Sequence, residues 1–370
     1  MCAQFLRAKT VHPRNMTESN AYLQYAGAFR LVRKIAVGGM ATVYEAEQLG
    51  PEGFAKRIAL KVIHPEYAAQ RRWVQLFIDE AKLSANLMHG NIVQIYQLGE
   101  VNGDFFIAME FIVGPTLRSI IDRHWETGEA IPAHLAAYIV SRVCRALDFA
   151  HNFAGPDGRR LDIVHRDVSP GNVMASWDGH IKLADFGIAQ ARTSADPGQG
   201  KPMLMGKKHY MSPEQILGLP VDARSDVFST GLVLYELLAL EPLFTEDITL
   251  LAIDEVTVQP RPDIRARIPG IDPELEQIIT LALAADPARR PTAAAMGQTL
   301  DRWCVAQLQP GSPEMLQRHL ARVFPTTFQS QTGRVERTSF SNLRRSAKRI
   351  AIPPPAGRAH RSMWARLLHR

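Results

Sequence analysis

The first third of the chain alternates apolar and polar residues in short runs, and turns rich in glycine separate these runs. Valine, isoleucine, tyrosine and phenylalanine are frequent at the apolar positions, which is typical of β-strands with one buried face. Residues 71–87 break this pattern, because their apolar residues recur at helical spacing and predict a single helix. The predicted strands are 29–37, 41–49, 57–63, 92–101 and 104–112.

Beyond residue 112 the apolar residues recur at helical spacing, and Gly and Pro punctuate the segments. A β-rich part followed by an α-rich part predicts two lobes with a cleft between them, and ligand sites favour such clefts. The predicted helices are 117–122, 134–152, 226–240, 273–284, 293–308 and a short amphipathic helix at 314–324.

One folded region is predicted over residues 28–305, with the smaller lobe at about 28–112 and the larger lobe at about 113–305. Residues 1–27 show no clear periodicity and are expected to form a flexible leader. Residues 306–325 are predicted to be a short helical extension. Residues 326–370 are rich in Ser, Thr, Arg and Pro, which favours a disordered tail.

Composition excludes several classes of protein. The chain has 370 residues, of which 46% are hydrophobic and 22% are charged, so global disorder, collagen and coiled coil are excluded. The three cysteines, Cys2, Cys144 and Cys304, are far apart, which argues against a disulfide scaffold or a cysteine zinc site. No apolar segment resembles a membrane span or a signal peptide, so we expect a cytoplasmic protein.

The net charge of +6 is concentrated at the end of the chain. Residues 330–370 contain ten Lys or Arg residues and one Glu, a local charge of +9, which leaves −3 for residues 1–329. A specific nucleic-acid site is therefore not predicted. Because Trp364, Leu367 and Leu368 follow helical spacing, an anionic membrane or a partner protein is a candidate ligand for the tail. A disordered solubilising tail is the alternative.

Two short motifs carry the candidate chemistry. His165-Arg166-Asp167 is followed by Asn172, and Asp185-Phe186-Gly187 stands thirteen residues beyond Asn172. Apolar segments flank both motifs, as expected for loops that hang from short strands. Carboxylate and amide oxygens are the protein ligands that Mg²⁺ prefers, together with phosphates of a substrate.

These motifs resemble the catalytic loop and the metal-binding loop of the protein kinase superfamily. The segments HRDVSPGNVMAS and IKLADFGIA are similar to those of the bacterial, eukaryotic-like (Hanks-type) serine/threonine kinases. The resemblance covers residues 28–305. It implies an α+β bilobal protein-kinase fold, with a small β-rich N-lobe that contains one helix and a larger helical C-lobe.

The resemblance also implies a nucleotide site. Gly38 matches the central glycine of the kinase glycine loop, whereas Ala36 and Ala41 replace the other two. Lys61 matches the strand lysine that anchors the α- and β-phosphates, and Glu80 matches its helical partner. The implied nucleotide-binding residues are Ile35, Ala36, Gly38, Gly39, Ala41, Val43, Ala59, Lys61, Met109, Glu110 and Ile112.

The implied reaction is transfer of the γ-phosphoryl group of Mg-ATP to hydroxyl groups of protein substrates, including autophosphorylation. Asp167 is then expected to orient the hydroxyl and accept its proton, while Asn172 and Asp185 hold Mg²⁺. Lys61 and Glu80, which fixes it, are the other two implied catalytic residues. The resemblance further implies an ion pair between Arg290 and Glu214 in the C-lobe.

The sequence departs from the Ser/Thr kinase pattern at two positions. Ser169 replaces a lysine near the transferred phosphate, and Lys207 replaces a threonine that follows Gly206. Lys201, Lys207 or Lys208 are candidates to restore the missing charge. Ser and Thr rather than Tyr are the expected acceptors. The alternative is a pseudokinase that acts as a nucleotide-regulated scaffold, which the altered glycine loop and Ser169 favour.

Phosphorylation of the segment after Asp185 is a further expectation. Arg166 next to the candidate catalytic aspartate could pair with a phosphate, and Thr193 and Ser194 are the candidate acceptors. Plain loop hydroxyls are the alternative.

Overall fold

The computed structural model describes residues 23–25, 29–101, 103–186, 208–244 and 263–329. The chain divides into two units at the boundary between Val323 and Phe324. Among the described residues, no helix is both long and apolar enough to cross a bilayer.

The N-terminal lobe is built on a six-stranded antiparallel sheet with the order β1-β2-β3-β4-β6-β5. Its strands are β1 (Leu23–Tyr25), β2 (Phe29–Val37), β3 (Ala41–Leu49), β4 (Ala55–Ile63), β5 (Ile95–Val101) and β6 (Asp104–Glu110). In the central register Lys61 of β4 pairs with Val43 of β3 and with Ile107 of β6.

Alternation along β4 decides which way the candidate lysine faces. Leu60 belongs to a core cluster on one face of the sheet. Ile63 belongs to the opposite cluster, together with Phe77 and Ala81 of helix α2 (Arg71–Ser84). Since residues two apart in a strand share a face, Lys61 and Ile63 both face α2.

The C-terminal lobe is helical. A short helix, α1 (Pro65–Ala68), and α2 lie between β4 and β5 in the chain. The other described α-helices are α3 (Leu117–Thr127), α4 (Ala133–His151), α5 (Pro213–Ile216), α6 (Ala223–Ala239), α7 (Ile264–Arg267), α8 (Pro273–Ala282), α9 (Ala293–Ala306) and α10 (Pro313–Val323). A two-stranded hairpin, β7 (Val173–Ala175) and β8 (Ile181–Leu183), lies between α4 and α5 in the chain. Helix α6 is buried on nearly all its faces, and α4 and α9 pack closely.

Local signals set the helix ends. The Thr116 side chain accepts a hydrogen bond from Ser119 N at the start of α3, and Gly128 ends this helix in the left-handed region with φ of 67°. Asp222 and Asp272 cap α6 and α8 in the same way as Thr116. These caps satisfy backbone N–H groups that the first helical turn leaves unpaired.

The bilobal α+β prediction is confirmed, and the strand and helix assignments hold with shifts at their ends. The largest shift is at α3, which continues to Thr127 instead of ending at 122. Residues 23–25, inside the segment predicted as a leader, form β1 and pair with Phe29–Leu31. Residues 1–22 and 330–370 lie outside the described residues, so the predictions for most of the leader and for the basic tail stay predictions.

The predicted helix at 314–324 is present as α10, which belongs to the same compact unit as the C-lobe. Its Leu316 and Leu320 are buried, and His319 Nε2 lies 2.9 Å from His124 Nε2 of α3. Cys144 and Cys304 are free thiols, and both are buried.

Gly114 stands where the N-lobe strands lead into the C-lobe, and it offers a test of this junction. A Cβ at this position would lie 1.9 Å from Ala175 O, because Trp177 N and Ala175 N donate hydrogen bonds to Val113 O and Pro115 O. Gly114→Ala is therefore expected to lower the free energy of unfolding by about 1–3 kcal/mol. Urea unfolding measures this. Gly90→Ala is the matched control, since a Cβ there meets nothing within 4 Å; an equal loss in both variants would contradict the steric account.

Candidate active site

Lys61 is held between two carboxylates from opposite lobes. Its Nζ lies 2.8 Å from Glu80 Oε1 on α2 and 2.9 Å from Asp185 Oδ1, which follows β8. Burial lowers the pKa of Lys61, but the charges of Asp185 and Glu80 outweigh it and raise this pKa well above its usual value. The ammonium is thus charged and aimed into the cleft, as an anchor for phosphates requires.

Asp226, at the start of α6, organises the loop that contains His165-Arg166-Asp167. Its Oδ2 and Oδ1 accept hydrogen bonds of 2.8 Å from His165 N and Arg166 N, and His151 Nε2 lies 2.8 Å from Oδ2. Burial raises the pKa of Asp226, but the hydrogen bond and charge of His151 outweigh it and lower this pKa. The two backbone bonds fix Arg166 in the left-handed region, with φ of 66°.

Asn172 fixes the candidate catalytic carboxylate. Its Nδ2 donates to Asp167 O and to Asp167 Oδ2, both at 2.8 Å. This use of the amide nitrogen leaves Asn172 Oδ1 as the end that can ligate a cation. Ala184 N donates to Asn172 O at 2.8 Å, so Asn172 is tied directly to the residue that precedes Asp185.

Phe186 secures Asp185 in its position. The Phe186 ring is buried, with its centroid 4.6 Å from that of His165. His165 Nε2 lies 3.0 Å from Ala184 O, and Asp185 adopts a left-handed conformation with φ of 56°. These contacts hold the Asp185 carboxylate toward Lys61. Gly187 of the same motif lies outside the described residues.

The glycine-containing turn predicted to cover phosphates joins β2 and β3. Gly38 N donates to Ala41 O at 2.9 Å, and Ala36 pairs with Val43 across the two strands. Gly39 is exposed, and so is Ile35 on β2. The structure therefore brings these five residues together with Ala41 at one end of the sheet.

The predicted adenine-edge residues lie at the end of β6. Met109 pairs with Ala59 of β4, and it lines a narrow cavity with Lys61, Glu80 and Phe186. Ile112 is buried just beyond this strand. The predicted nucleotide-binding residues thus lie on strands β2, β3, β4 and β6, in the turn between β2 and β3, or, for Ile112, just beyond β6.

Glu110 has a role that the sequence did not predict. Its Oε2 forms an ion pair of 2.9 Å with Lys182 Nζ on β8 and accepts a hydrogen bond from Gln94 N at 3.2 Å. The pair joins the strand that leaves the N-lobe to the hairpin of the C-lobe. Lys182 is the single charged residue in the apolar run before Asp185, and a lysine in such a run indicates an acidic partner.

The predicted pair of Arg290 and Glu214 is confirmed. Arg290 Nη1 and Nη2 donate to Glu214 Oε1 and Oε2 at 2.6 and 2.9 Å, and both side chains are buried. Ser225 Oγ also donates to Glu214 Oε1. Ser169 is buried in the catalytic loop. Thr193, Ser194, Lys201 and Lys207 lie outside the described residues, as does the side chain of Lys208.

A second group of polar residues near the catalytic loop was missed. Arg118 of α3, Tyr210 and Glu236 of α6 form a hydrogen-bonded cluster. The signal for it was Glu236 itself, an acid inside the most apolar stretch of the chain. Sequence alone does not say which residues would satisfy that acid, since Arg118 is 118 positions away.

Comparisons with known proteins agree with this geometry. The family model for the protein kinase domain matches residues 29–300. The chain is 37% identical over 284 residues to the tyrosine-protein kinase MasK of Myxococcus xanthus, which is 75% of this chain and 43% of that protein. It is 37% identical over 297 residues to the serine/threonine-protein kinase PknB of Mycolicibacterium smegmatis, which is 78% of this chain and 44% of that protein. The match thus spans less than half the length of these relatives.

A solved structure has the same fold. The crystal structure of the Mycobacterium tuberculosis PknI kinase domain superposes with a TM-score of 0.57 and 26% sequence identity. The superposition covers 77% of this chain and 99% of that domain.

Proposed function

This chain belongs to the protein kinase family, and on that basis we propose that it transfers the γ-phosphoryl group of ATP to Ser and Thr hydroxyl groups of proteins. The observation that carries the proposal is the assembled cleft. Lys61 sits between Glu80 and Asp185, and Asn172 holds Asp167 beside them. These residues come from both lobes, and Lys61 and Asp185 lie 124 positions apart, so their convergence supports a catalytic role over a chance motif match.

The donor set suits ATP with Mg²⁺. Asn172 Oδ1 and the Asp185 carboxylate are hard oxygen ligands, and Mg²⁺ takes one or two carboxylates together with substrate phosphates. These two residues would hold the cation, which would neutralise charge on the β- and γ-phosphates. Lys61 would bind the α- and β-phosphates, and the backbone N–H groups of the Gly38 turn would cover them.

Asp167 would act on the acceptor hydroxyl. The hydroxyl oxygen forms a bond to the γ-phosphorus, the bond from this phosphorus to the bridging oxygen of ADP breaks, and the hydroxyl proton passes to the Asp167 carboxylate. The double hydrogen bond from Asn172 keeps the carboxylate in one orientation for this step. Positioning and charge stabilisation supply most of the rate, since the transition state is loose.

The proposal also specifies that Ser and Thr, and not Tyr, supply the acceptor hydroxyl. Of the two relatives at 37% identity, PknB is named a serine/threonine-protein kinase and MasK a tyrosine-protein kinase. Ser169 is buried. It stands where serine/threonine kinases carry a lysine near the transferred phosphate, so it would offer a hydroxyl there in place of a cation. Ser and Thr acceptors follow from the other relatives, such as PrkC of Bacillus subtilis and PknA of Mycobacterium tuberculosis, both named serine/threonine kinases.

The test is incorporation of ³²P from γ-labelled ATP with Mg²⁺ into the chain itself and into a generic basic protein substrate. We expect label in both, recovered as phosphoserine or phosphothreonine after acid hydrolysis. Label recovered as phosphotyrosine would support kinase activity but contradict the proposal that Ser and Thr are the acceptors. ATP binding by the wild type without any transfer would favour the pseudokinase alternative.

Four narrower proposals are a role in bacterial signalling, a cytoplasmic location, phosphorylation at Thr193 or Ser194, and an anionic membrane or protein partner for the tail. The last two fall on residues outside the described ranges. The local charge of +9 over residues 330–370 supports the last of these.

A further inference from the structure

Helix α10 and the residues just before it lie beyond the part of the chain that the kinase family model matches, which ends at residue 300. They nevertheless pack closely on the C-lobe. A Cβ at Gly311 would lie 2.3 Å from His134 O on α4, so the backbone here touches that helix directly. Leu316 and Leu320 of α10 are buried. Residues 311–323, called the brace below, are therefore packed into the C-lobe.

The start of α10 contacts the turn of the β7–β8 hairpin. Gly179 in this turn has φ of 85°, and a Cβ there would lie 1.9 Å from the carbonyl oxygen of Pro313, the first residue of α10. Tyr138 OH on α4 donates to Gly179 O at 3.2 Å. The turn is thus enclosed between α4 and the start of the brace, with no room for a side chain at this glycine.

This hairpin connects the two residues that would hold Mg²⁺. Asn172 directly precedes β7, and Asp185 lies two residues beyond the end of β8. One edge of the hairpin is bonded to the segment that leads out of the N-lobe, because Ala175 N donates to Pro115 O at 2.9 Å. The turn at the other end is held by the C-lobe through α4 and the brace. A displaced brace would leave the hairpin less fixed, and with it the two oxygen ligands.

A pair of histidines fastens α10 to α3. His319 Nε2 lies 2.9 Å from His124 Nε2, and the two rings are nearly parallel, with centroids 5.0 Å apart. His124 Nδ1 lies 2.8 Å from Glu129 O, and since a carbonyl only accepts, this nitrogen carries a proton. A neutral His124 then has a bare Nε2, which accepts the bond from His319 Nε2. A proton on His124 Nε2 would instead bring two N–H groups face to face.

The surroundings of this histidine pair keep both rings neutral. Burial is the main cause that lowers the pKa of His319 to about 4, and it also lowers the pKa of His124. Arg322 of α10 and His134 of α4 add to the effect on His319 through their charges, and Glu129 opposes it. Arg322 and Glu129 pair with each other at 2.5 Å on the surface, so their charges partly offset.

We propose that the brace positions the β7–β8 hairpin for catalysis, and that the bond between His124 and His319 holds the brace in place while both rings are neutral. The inference rests on the proposed kinase function, since it concerns the residues that would hold Mg²⁺. His319 is a positioning residue, because it acts through the hairpin and not on the substrate. Protonation of the pair releases α10 from α3, loosens the turn at Gly179 and slows transfer.

The direction of the pH effect follows from the pKa of His319. A histidine released from the fold has a pKa of about 6.5, whereas docked His319 stays neutral down to about pH 4. Between these values the released state binds a proton that the docked state does not bind. The contribution to docking is therefore complete above about pH 6.5, and the docking constant falls about tenfold between pH 7.5 and pH 5.5.

The test measures hydrogen exchange of the full chain by mass spectrometry at pH 7.5 and pH 5.5, with rates corrected for the intrinsic effect of pH. The variant is His319→Gln, whose amide donates to a neutral His124 or accepts from a protonated one, so the bond no longer depends on pH. His180→Gln is the matched control, because His180 is an exposed histidine between β7 and β8.

In the wild type, we expect the protection of the α10 amides to fall about tenfold from pH 7.5 to pH 5.5, and that of residues 173–183 about threefold. In His319→Gln both should stay within about twofold. At pH 5.5 the wild type should transfer phosphate about threefold more slowly than His319→Gln, whereas at pH 7.5 the two rates should agree. His180→Gln should follow the wild type in every measurement.

A second pair of variants tests the contact between the hairpin turn and the brace without any titration. Gly179→Ala places a Cβ against Pro313 O, whereas Gly270→Ala has a similar positive φ of 78° at a position where a Cβ meets nothing within 4 Å. Gly179→Ala should lower the protection of α10 at pH 7.5 about tenfold and slow transfer. Gly270→Ala should leave both near the wild-type values. If Gly179→Ala fails to fold, the pH series with His319→Gln decides.

Protection of wild-type α10 that does not depend on pH, or that falls equally in His319→Gln, overturns the role of the histidine pair. Loss of α10 protection with unchanged hairpin protection and unchanged transfer overturns the role of the brace. In these cases transfer by the wild type at pH 7.5 shows that the kinase function stands. Absence of transfer by the wild type at either pH overturns the proposed function, and the catalytic role of the brace with it, while the exchange data still decide whether the histidine pair holds α10.

Discussion

Replacing Asp167 with asparagine is expected to lower the rate of phosphoryl transfer by about 10²- to 10⁴-fold, the range typical for loss of a general base. The amide has nearly the shape of the carboxylate and can still accept a hydrogen bond from Asn172 Nδ2, which now reaches Asp167 Oδ2 at 2.8 Å. What it cannot do is accept the proton of the substrate hydroxyl. Initial rates of ³²P transfer at saturating Mg-ATP measure the effect.

Two further measurements make this result specific. ATP affinity of Asp167→Asn, from fluorescence of a nucleotide analogue, should stay close to that of the wild type, since Lys61 and Asp185 remain. Asp178→Asn is the matched control, because Asp178 is an exposed acid in the turn between β7 and β8. If Asp167→Asn transfers phosphate at the wild-type rate, Asp167 is not the base, and the mechanism proposed for this cleft is wrong.

The local elements of this fold could be predicted because each is determined by nearby residues. Alternation in 29–37 and 41–49 gave β2 and β3 with their observed ends. Helix α3 was predicted too short, because the glycine that ends it, Gly128, comes after five further residues of which only Trp125 is apolar. Strand β1 was missed since three residues carry no periodic signal, and its pairing with Phe29–Leu31 depends on the edge of a sheet already formed.

In the candidate site, too, residues that are close in sequence could be predicted, whereas contacts between distant residues could not. Asp167, Asn172 and Asp185 lie close in sequence, and their motif is specific enough to predict. The bond between Lys61 and Asp185 spans 124 positions and was not predicted. The resemblance to known kinases predicted only the pair of Lys61 with Glu80. The partners of buried acids were harder to predict, because a sequence shows that Asp226 or Glu236 needs hydrogen bonds but not where these come from.

Replacing Arg290 with methionine is expected to lower the free energy of unfolding by about 3–5 kcal/mol, the loss typical when one partner of a buried ion pair is removed. The Arg290 side chain is fully buried, and its Nη1 and Nη2 donate to both Glu214 oxygens. The same guanidinium also donates to Ala284 O, Ala285 O and Arg224 O, so methionine leaves a carboxylate and three carbonyls without these donors. Urea unfolding at neutral pH measures the loss, and Arg289→Met, at the exposed neighbouring position, is the control.

The pH dependence of that loss separates the ion pair from simple packing. Burial raises the pKa of Glu214, but its hydrogen bonds to Arg290 and Ser225 outweigh it and lower this pKa in the folded state. A lowered pKa contributes stability that is complete above the unfolded carboxyl value of about 4.3 and is lost as the pH falls through the folded value. The difference in unfolding free energy between wild type and Arg290→Met should therefore shrink as the pH is lowered below about 4. A difference that stays constant down to the acid limit would mean that the volume of the arginine, and not its charge, stabilises this junction.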